Sequence, residues 1–175
     1  MQYISFFDSP VGKLYLTADE QSLKGVYFER EKGNSIPIEL NDVEFSDNHP
    51  VIMDTKLWLS LYFNGSVPDF VPNISLSGTE FRQQVWEVVK QIPYGQTMSY
   101  GEIAQIVAQE RGTKPSAQAV GSAVGNNPIP IIIPCHRVLA AGKFIGGYSG
   151  GINNKKFLLD LEQIQYNFTR WKLGV

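Results

Sequence analysis

At Gly78 the chain changes its periodicity, and that change limits the folds open to it. Before it, short apolar and aromatic runs are bounded by Gly, Pro and Asp, as in Ser9-Pro10-Val11-Gly12-Lys13-Leu14-Tyr15-Leu16-Thr17 and Ser22-Leu23-Lys24-Gly25-Val26-Tyr27-Phe28. These read as strands joined by turns. After it, apolar residues recur three and four apart, the spacing of a buried helix face. Strands first and helices second, without strict alternation, predict an α+β chain. Residues 1–77 are expected to form an N-terminal α/β domain with a small antiparallel sheet, and residues 78–175 a mostly helical domain. In the first, Met53, Leu57, Trp58, Leu61 and Tyr62 predict one helix, ended by Asn64-Gly65. The polar stretch Glu29 to Pro50 reads as a surface connection, and residues 66–77, with Pro68 and Pro72, as an interdomain linker.

Charge divides at the same point. Residues 1–78 carry 5 Lys/Arg against 11 Asp/Glu, and residues 79–175 carry 10 against 6, so a polyanionic partner is expected on the second domain. No segment approaches the roughly 20 apolar residues of a membrane span, and the N-terminus has no basic region followed by a long apolar stretch. A cytoplasmic protein is expected, or a nuclear one in a eukaryote, with no membrane partner. A single cysteine allows neither an internal disulfide nor a Cys-rich zinc site, and the two histidines, His49 and His136, are too few for an ordinary transition-metal centre. No metal and no cofactor are expected.

Three helices are predicted in the second domain. Phe81, Val85, Val88, Val89 and Ile92 share a face after the N-cap Thr79, and Pro93-Tyr94-Gly95 stops that helix. Ser99-Tyr100-Gly101-Glu102 is a capping box opening the next, whose buried face is Ile103, Ile106 and Val107. After the break at Arg111-Gly112-Thr113-Lys114-Pro115, a third runs from Ser116 to about Gly125. Helix, turn and helix in this span have the size of a DNA-binding unit. The third helix holds no Arg or Lys, and its Gln118, Ala119, Gly121 and Ser122 suit close approach along a narrow groove better than major-groove readout. Tight packing against another helix explains the same residues equally well.

Asn126-Asn127-Pro128-Ile129-Pro130 reads as a turn and Ile131-Ile132-Ile133 as a short buried strand that delivers Pro134-Cys135-His136-Arg137-Val138 at its end. A lone cysteine is ordinarily a small buried hydrophobe. Here it stands beside one of two histidines and an arginine, and a neighbouring base or cation raises the thiolate fraction of a thiol. Adjacent residues on an extended chain diverge, so a bridging water between Cys135 and His136 is expected. Glu162, at the edge of the apolar face Phe157, Leu158, Leu161 and Ile164, is either a solvated rim charge or the group that orients the imidazole. Gly146-Gly147-Tyr148-Ser149-Gly150-Gly151 gives a flexible loop with one aromatic wall and one hydroxyl, and the usual phosphate-binding fingerprints are absent.

Taken in order, Gly78-Thr79-Glu80-Phe81, Ile92-Pro93-Tyr94-Gly95, Ser99-Tyr100, Ala119-Val120-Gly121, Asn127-Pro128, Pro134-Cys135-His136-Arg137-Val138 and Tyr148-Ser149-Gly150-Gly151 resemble the O6-alkylguanine-DNA alkyltransferases. The resemblance covers roughly half the chain and is weak before Gly78. It implies a ribonuclease H-like N-terminal domain by analogy and a winged helix-turn-helix C-terminal domain. It implies a monomer that binds double-stranded DNA in the minor groove, flips an O6-alkylguanine out of the stack, and moves the alkyl group irreversibly onto Cys135, with O4-alkylthymine as an alternative lesion. His136, oriented by Glu162 and acting through water, would take the thiol proton, and Asn127 would support the turn. Tyr100, Val138, Tyr148, Ser149 and Gly150 would form the base pocket, with the Cys135 and Val138 carbonyls accepting from the guanine amino group. Thr97, Gln118, Ala119, Gly121, Ser122 and Arg137 would contact DNA. One departure stands out: Gln118 occupies the place where most members carry the arginine that fills the gap left by the flipped base.

Three other readings compete with this one. A non-reactive relative would bind alkylated DNA without repairing it, and such proteins usually replace the reactive cysteine, which Cys135 argues against. A thiol hydrolase would use Cys135 and His136 over many turnovers, and a winged-helix regulator would leave Cys135 and Glu162 without a role.

Overall fold

The computed structural model describes residues 1–29 and 42–168. Much of the stretch expected to connect Glu29 to Pro50 lies outside the described residues. The chain divides into two compact units, Met1–Leu76 and Ser77–Val175.

The first unit is a four-stranded sheet with one helix. Strands β1 (Gln2–Ser9), β2 (Gly12–Ala18), β3 (Leu23–Phe28) and β4 (Val43–Phe45) lie in the order β3-β2-β1-β4. The β1–β2 hairpin closes at Gly12, whose φ of +94° favours glycine, and the Ser9 hydroxyl donates to the Gly12 carbonyl at 2.6 Å. Asp19 caps the β2–β3 turn: its carboxylate accepts from the Gln21 and Ser22 amides and pairs with Lys24 at 2.8 Å. β4 runs parallel to β1, so the sheet is mixed and not the antiparallel one expected.

Along β2, Leu14, Leu16 and Ala18 are buried against helix α1 (Pro50–Phe63), which buries Val51, Ile52, Thr55, Trp58, Leu59 and Tyr62. The helix forms where expected, on a different face. Met53 and Leu57 are more than half exposed, because Ile52, Thr55 and Leu59 continue the stripe set by Trp58 and Tyr62. The stretch expected as a linker is fastened to the sheet: the Leu23 amide donates to Asn73 and the Ser75 amide donates to the Leu23 carbonyl.

The second unit is built on helices α2 (Glu80–Lys90), α3 (Tyr100–Arg111) and α4 (Ala117–Gly125), mutually packed, with α5 (Ile152–Leu161) later in the chain. Each of the first three has its side-chain cap. Thr79 accepts from Arg82, Ser99 and Glu102 complete the capping box, and Ser116 accepts from Ala119. Trp86 of α2 is fully buried and donates its indole N–H to the Ala123 carbonyl of α4 at 2.9 Å, tying the two helices. Gly78 allows the chain to pass this ring, since a Cβ there would lie 2.8 Å from it. Strands β5 (Met98–Ser99) and β6 (Val138–Leu139) pair in parallel, and Ala140 bridges Phe144. This short pairing positions the site, because β5 leads into Tyr100 and β6 follows Cys135.

Candidate active site

The segment before the cysteine is not the expected strand. Asn127 to Ile133 form a compact turn, with Ile131 at φ +74°, and residues Cys135–Arg137 form one turn of 3-10 helix. The three isoleucines are buried, as their composition requires, but they fold back on themselves instead of pairing along a sheet. Asn127 holds this turn from inside: its amide donates to the Ile133 carbonyl at 2.9 Å and its oxygen accepts from the Ile129 amide at 3.0 Å. Those two bonds, on either side of Ile131, hold a β-branched residue in the left-handed region despite its strain.

Cys135 is 3% exposed. Burial pushes its thiol pKa up; hydrogen bonds from Asn127 and Tyr148 and the charge of Lys155 act against that. Tyr100, first residue of α3, has its ring between Gly121 of α4 and Gly146 of the loop, and its hydroxyl pKa is raised by burial and by Cys135. The β5–β6 pair therefore brings Tyr100 to the cysteine, and Gly146-Gly147 brings Tyr148.

Behind the cysteine lies a buried charge network. His136 is fully buried and its Nε2 lies 2.5 Å from Glu162 Oε2. Burial pushes the imidazole pKa down, more than Glu162 raises it, so the ring is neutral at neutral pH. Glu162 is 4% exposed at the C-cap of α5. Burial alone would raise its pKa; contacts with His136, Arg137 and the Gly95 amide bring it down to about 2. Of the two readings of Glu162, the buried partner is the one realised.

Arg137 corrects one expectation. It is 8% exposed and turned inward, donating Nε to Glu162 Oε1 at 2.7 Å and Nη1 to the Ile92 carbonyl at 2.7 Å. Its guanidinium lies over the Tyr94 ring, 5.6 Å from the centroid, and the Gly95 amide donates to Glu162 Oε1 at 3.0 Å. A guanidinium so enclosed has no reach to a DNA phosphate. The same contacts explain Ile92-Pro93-Tyr94-Gly95: carbonyl, ring and amide form the seat of the Arg137–Glu162 pair.

Among the remaining expected residues, Gln118 and Ser122 are exposed on α4, with Ala119 and Gly121 half-buried beside them. Thr97 is half-buried in a groove between α2 and α3. Ser149 is exposed and Tyr148 and Gly150 half-buried, Gly150 accepting from Asn154. The two carbonyls expected to meet a guanine amino group are already engaged once: Cys135 O accepts from the Val138 amide and Val138 O from Lys155 Nζ at 2.8 Å. A carbonyl has a second lone pair, so both can still accept. Sequence reasoning missed Lys155, a buried lysine four positions along a helix whose neighbours read as ordinary amphipathic residues. No cluster of His, Cys, Asp and Glu able to hold a metal occurs among the described residues, and no helix there is long and apolar enough to cross a membrane.

Known proteins resemble the chain over its full length. Residues 80–164 match the DNA binding domain of 6-O-methylguanine DNA methyltransferase and residues 2–76 its ribonuclease-like domain. A methylated-DNA–protein-cysteine methyltransferase of Methanosarcina acetivorans is 40% identical over 91% of this chain and 97% of its own, and one of Haemophilus influenzae is 39% identical over 94% and 88%. The crystal structure of the Mycobacterium tuberculosis O6-methylguanine methyltransferase superposes with a TM-score of 0.79 at 36% identity, covering 100% of both chains. The same organism's protein in complex with DNA gives 0.79 at 37% identity over 92% of this chain and 93% of that one. Full-length similarity at this identity, joined to a buried cysteine backed by a histidine–glutamate pair, makes the chain a member of the 6-O-methylguanine DNA methyltransferase family.

Proposed function

We propose that the protein repairs alkylated DNA by moving the alkyl group from O6 of guanine to Cys135, once per molecule. The observation that carries this reading is the buried Cys135 beside a neutral His136 whose Nε2 is held by an ionised Glu162. With Nε2 committed, Nδ1 is the atom through which the ring would take the thiol proton, by way of a water. The thiolate then attacks the alkyl carbon: the S–C bond forms as the C–O6 bond breaks, and the electron pair stays on the guanine. Tyr100 would donate a proton to the base, and Ser149 a hydrogen bond near O6. A thioether has no easy return path, so the reaction stops after one turn.

The guanine must leave the stack for its alkyl carbon to lie in line with the sulfur. The small-residue face of α4, with Gln118, Ala119, Gly121 and Ser122, is suited to lie along a minor groove, and Gln118 to enter the space the base vacates. Thr97 would add a backbone contact from the loop before β5. The protein would act as a monomer on double-stranded DNA in the cytoplasm, or in the nucleus of a eukaryote.

Mass spectrometry of the intact chain after mixing with DNA carrying O6-methylguanine tests this reading. One methyl at Cys135, irreversible and stoichiometric, is expected. An unchanged mass, or many turnovers per molecule, would refute it.

A further inference from the structure

Lys155 is fully buried on α5, and the charge network behind His136 makes no use of it. Its ammonium donates to the Val138 carbonyl at 2.8 Å and to the Gly147 carbonyl at 3.1 Å. Val138 ends the turn that carries Cys135, and its amide bonds the Cys135 carbonyl. Gly147 leads into Tyr148 and Ser149. One side chain thus joins the two segments that flank the sulfur.

Among the described residues no carboxylate forms an ion pair with Lys155. A buried ammonium with only neutral acceptors is costly to keep, and such charges are usually paired. The titratable groups it acts on are Cys135 and His136 of the cysteine turn, and its charge lowers the pKa of both. Of the groups that favour the ionised sulfur, Asn127 and Tyr148 contribute neutral hydrogen bonds, and Lys155 a full charge.

We propose that Lys155 is a positioning residue that supplies the counter-ion of the Cys135 thiolate while clamping the cysteine turn to the Tyr148-Ser149 loop through the Val138 and Gly147 carbonyls. The missing partner of the buried cation is the anion that the reaction creates. Burial lowers the Lys155 pKa to about 8 and Cys135 raises it, so the two groups titrate as a coupled pair. The neighbouring His136 responds to the same charge and is held by Glu162 at Nε2. The inference rests on Cys135 as the nucleophile, and its test is made on the free protein, so it can fail while alkyl transfer stands.

Because the chain has one cysteine, thiolate absorbance near 240 nm, taken against Cys135→Ala, reports that sulfur alone. In Lys155→Met, which keeps the buried stem and removes the charge, the thiol midpoint is expected to rise by at least about one pH unit, roughly tenfold less thiolate at neutral pH. Lys155→Arg, which keeps the charge, is expected to restore most of the shift. A purely structural lysine would lower the melting temperature and leave the midpoint in place, which would overturn the proposal. If Lys155→Met does not fold, labelled-lysine NMR of the wild type and of Cys135→Ala gives the same decision. The Lys155 pKa is expected to be lower when the sulfur is absent, and equal values in the two proteins would overturn the proposal.

Discussion

Arg137 Nε donates to Glu162 Oε1 at 2.7 Å, and the other oxygen of that carboxylate holds His136. Removing the guanidinium leaves a buried carboxylate and the Ile92 carbonyl short of a partner. Breaking a buried pair from one side costs roughly 3–5 kcal/mol, so Arg137→Ala is expected to lower the melting temperature by on the order of 10 °C. Because Arg137 faces inward, the salt dependence of DNA binding by the protein that remains folded should match the wild type. A shallower slope would put Arg137 on the DNA after all.

Acid should unfold this unit through the same network. Glu162 has a folded pKa of about 2 against an ordinary value near 4.5. Its contribution is therefore complete above that ordinary value and is lost as pH falls towards 2. The shift corresponds to on the order of 3 kcal/mol. His136 acts in the same direction and begins earlier: with its folded pKa lowered, the unfolded chain takes up the proton first as pH drops below about 6.5. Denaturant melts from pH 7 to 2 should show stability falling in this order, and Glu162→Gln should flatten the lower part. An unflattened lower limb in that variant would contradict the assignment.

Asn127 makes two buried turn bonds and also lowers the Cys135 pKa, so Asn127→Ala should disturb both structure and chemistry. Each orphaned buried group costs about 1–3 kcal/mol. Single-turnover methyl transfer at saturating DNA is expected to slow at least tenfold even well below the melting temperature. If the variant melts early but transfers at the wild-type rate, Asn127 serves the turn alone.

Gln118 is exposed near the start of α4 and has neither charge nor a stacking plane. Gln118→Arg should tighten binding to duplex DNA and speed transfer, the gain in affinity shrinking as salt rises. Titrations at two salt concentrations with single-turnover rates decide it. No gain in either quantity would remove Gln118 from the flipping step.

Sequence alone determined what depends on neighbours along the chain. The caps Thr79, Ser99 and Ser116, the break at Pro93-Tyr94-Gly95 and the strand runs of β2 and β3 are local patterns, and each appears where its residues place it. That Cys135 and His136 are neighbours was legible for the same reason, and Glu162 as a partner for a buried group was within reach of its position on a helix edge. Tertiary structure decided what depends on partners far away. Whether Arg137 faces DNA or Glu162, whether three isoleucines form a strand or fold back around Asn127, and whether Lys155 points to water or to two carbonyls cannot be read from spacing. A charged side chain has the same pattern in sequence whether it is solvated or buried. Only the seat built by Ile92, Tyr94 and Gly95 turns Arg137 inward. Cys135 itself was evident from its motif; the field in which it ionises is a property of the fold.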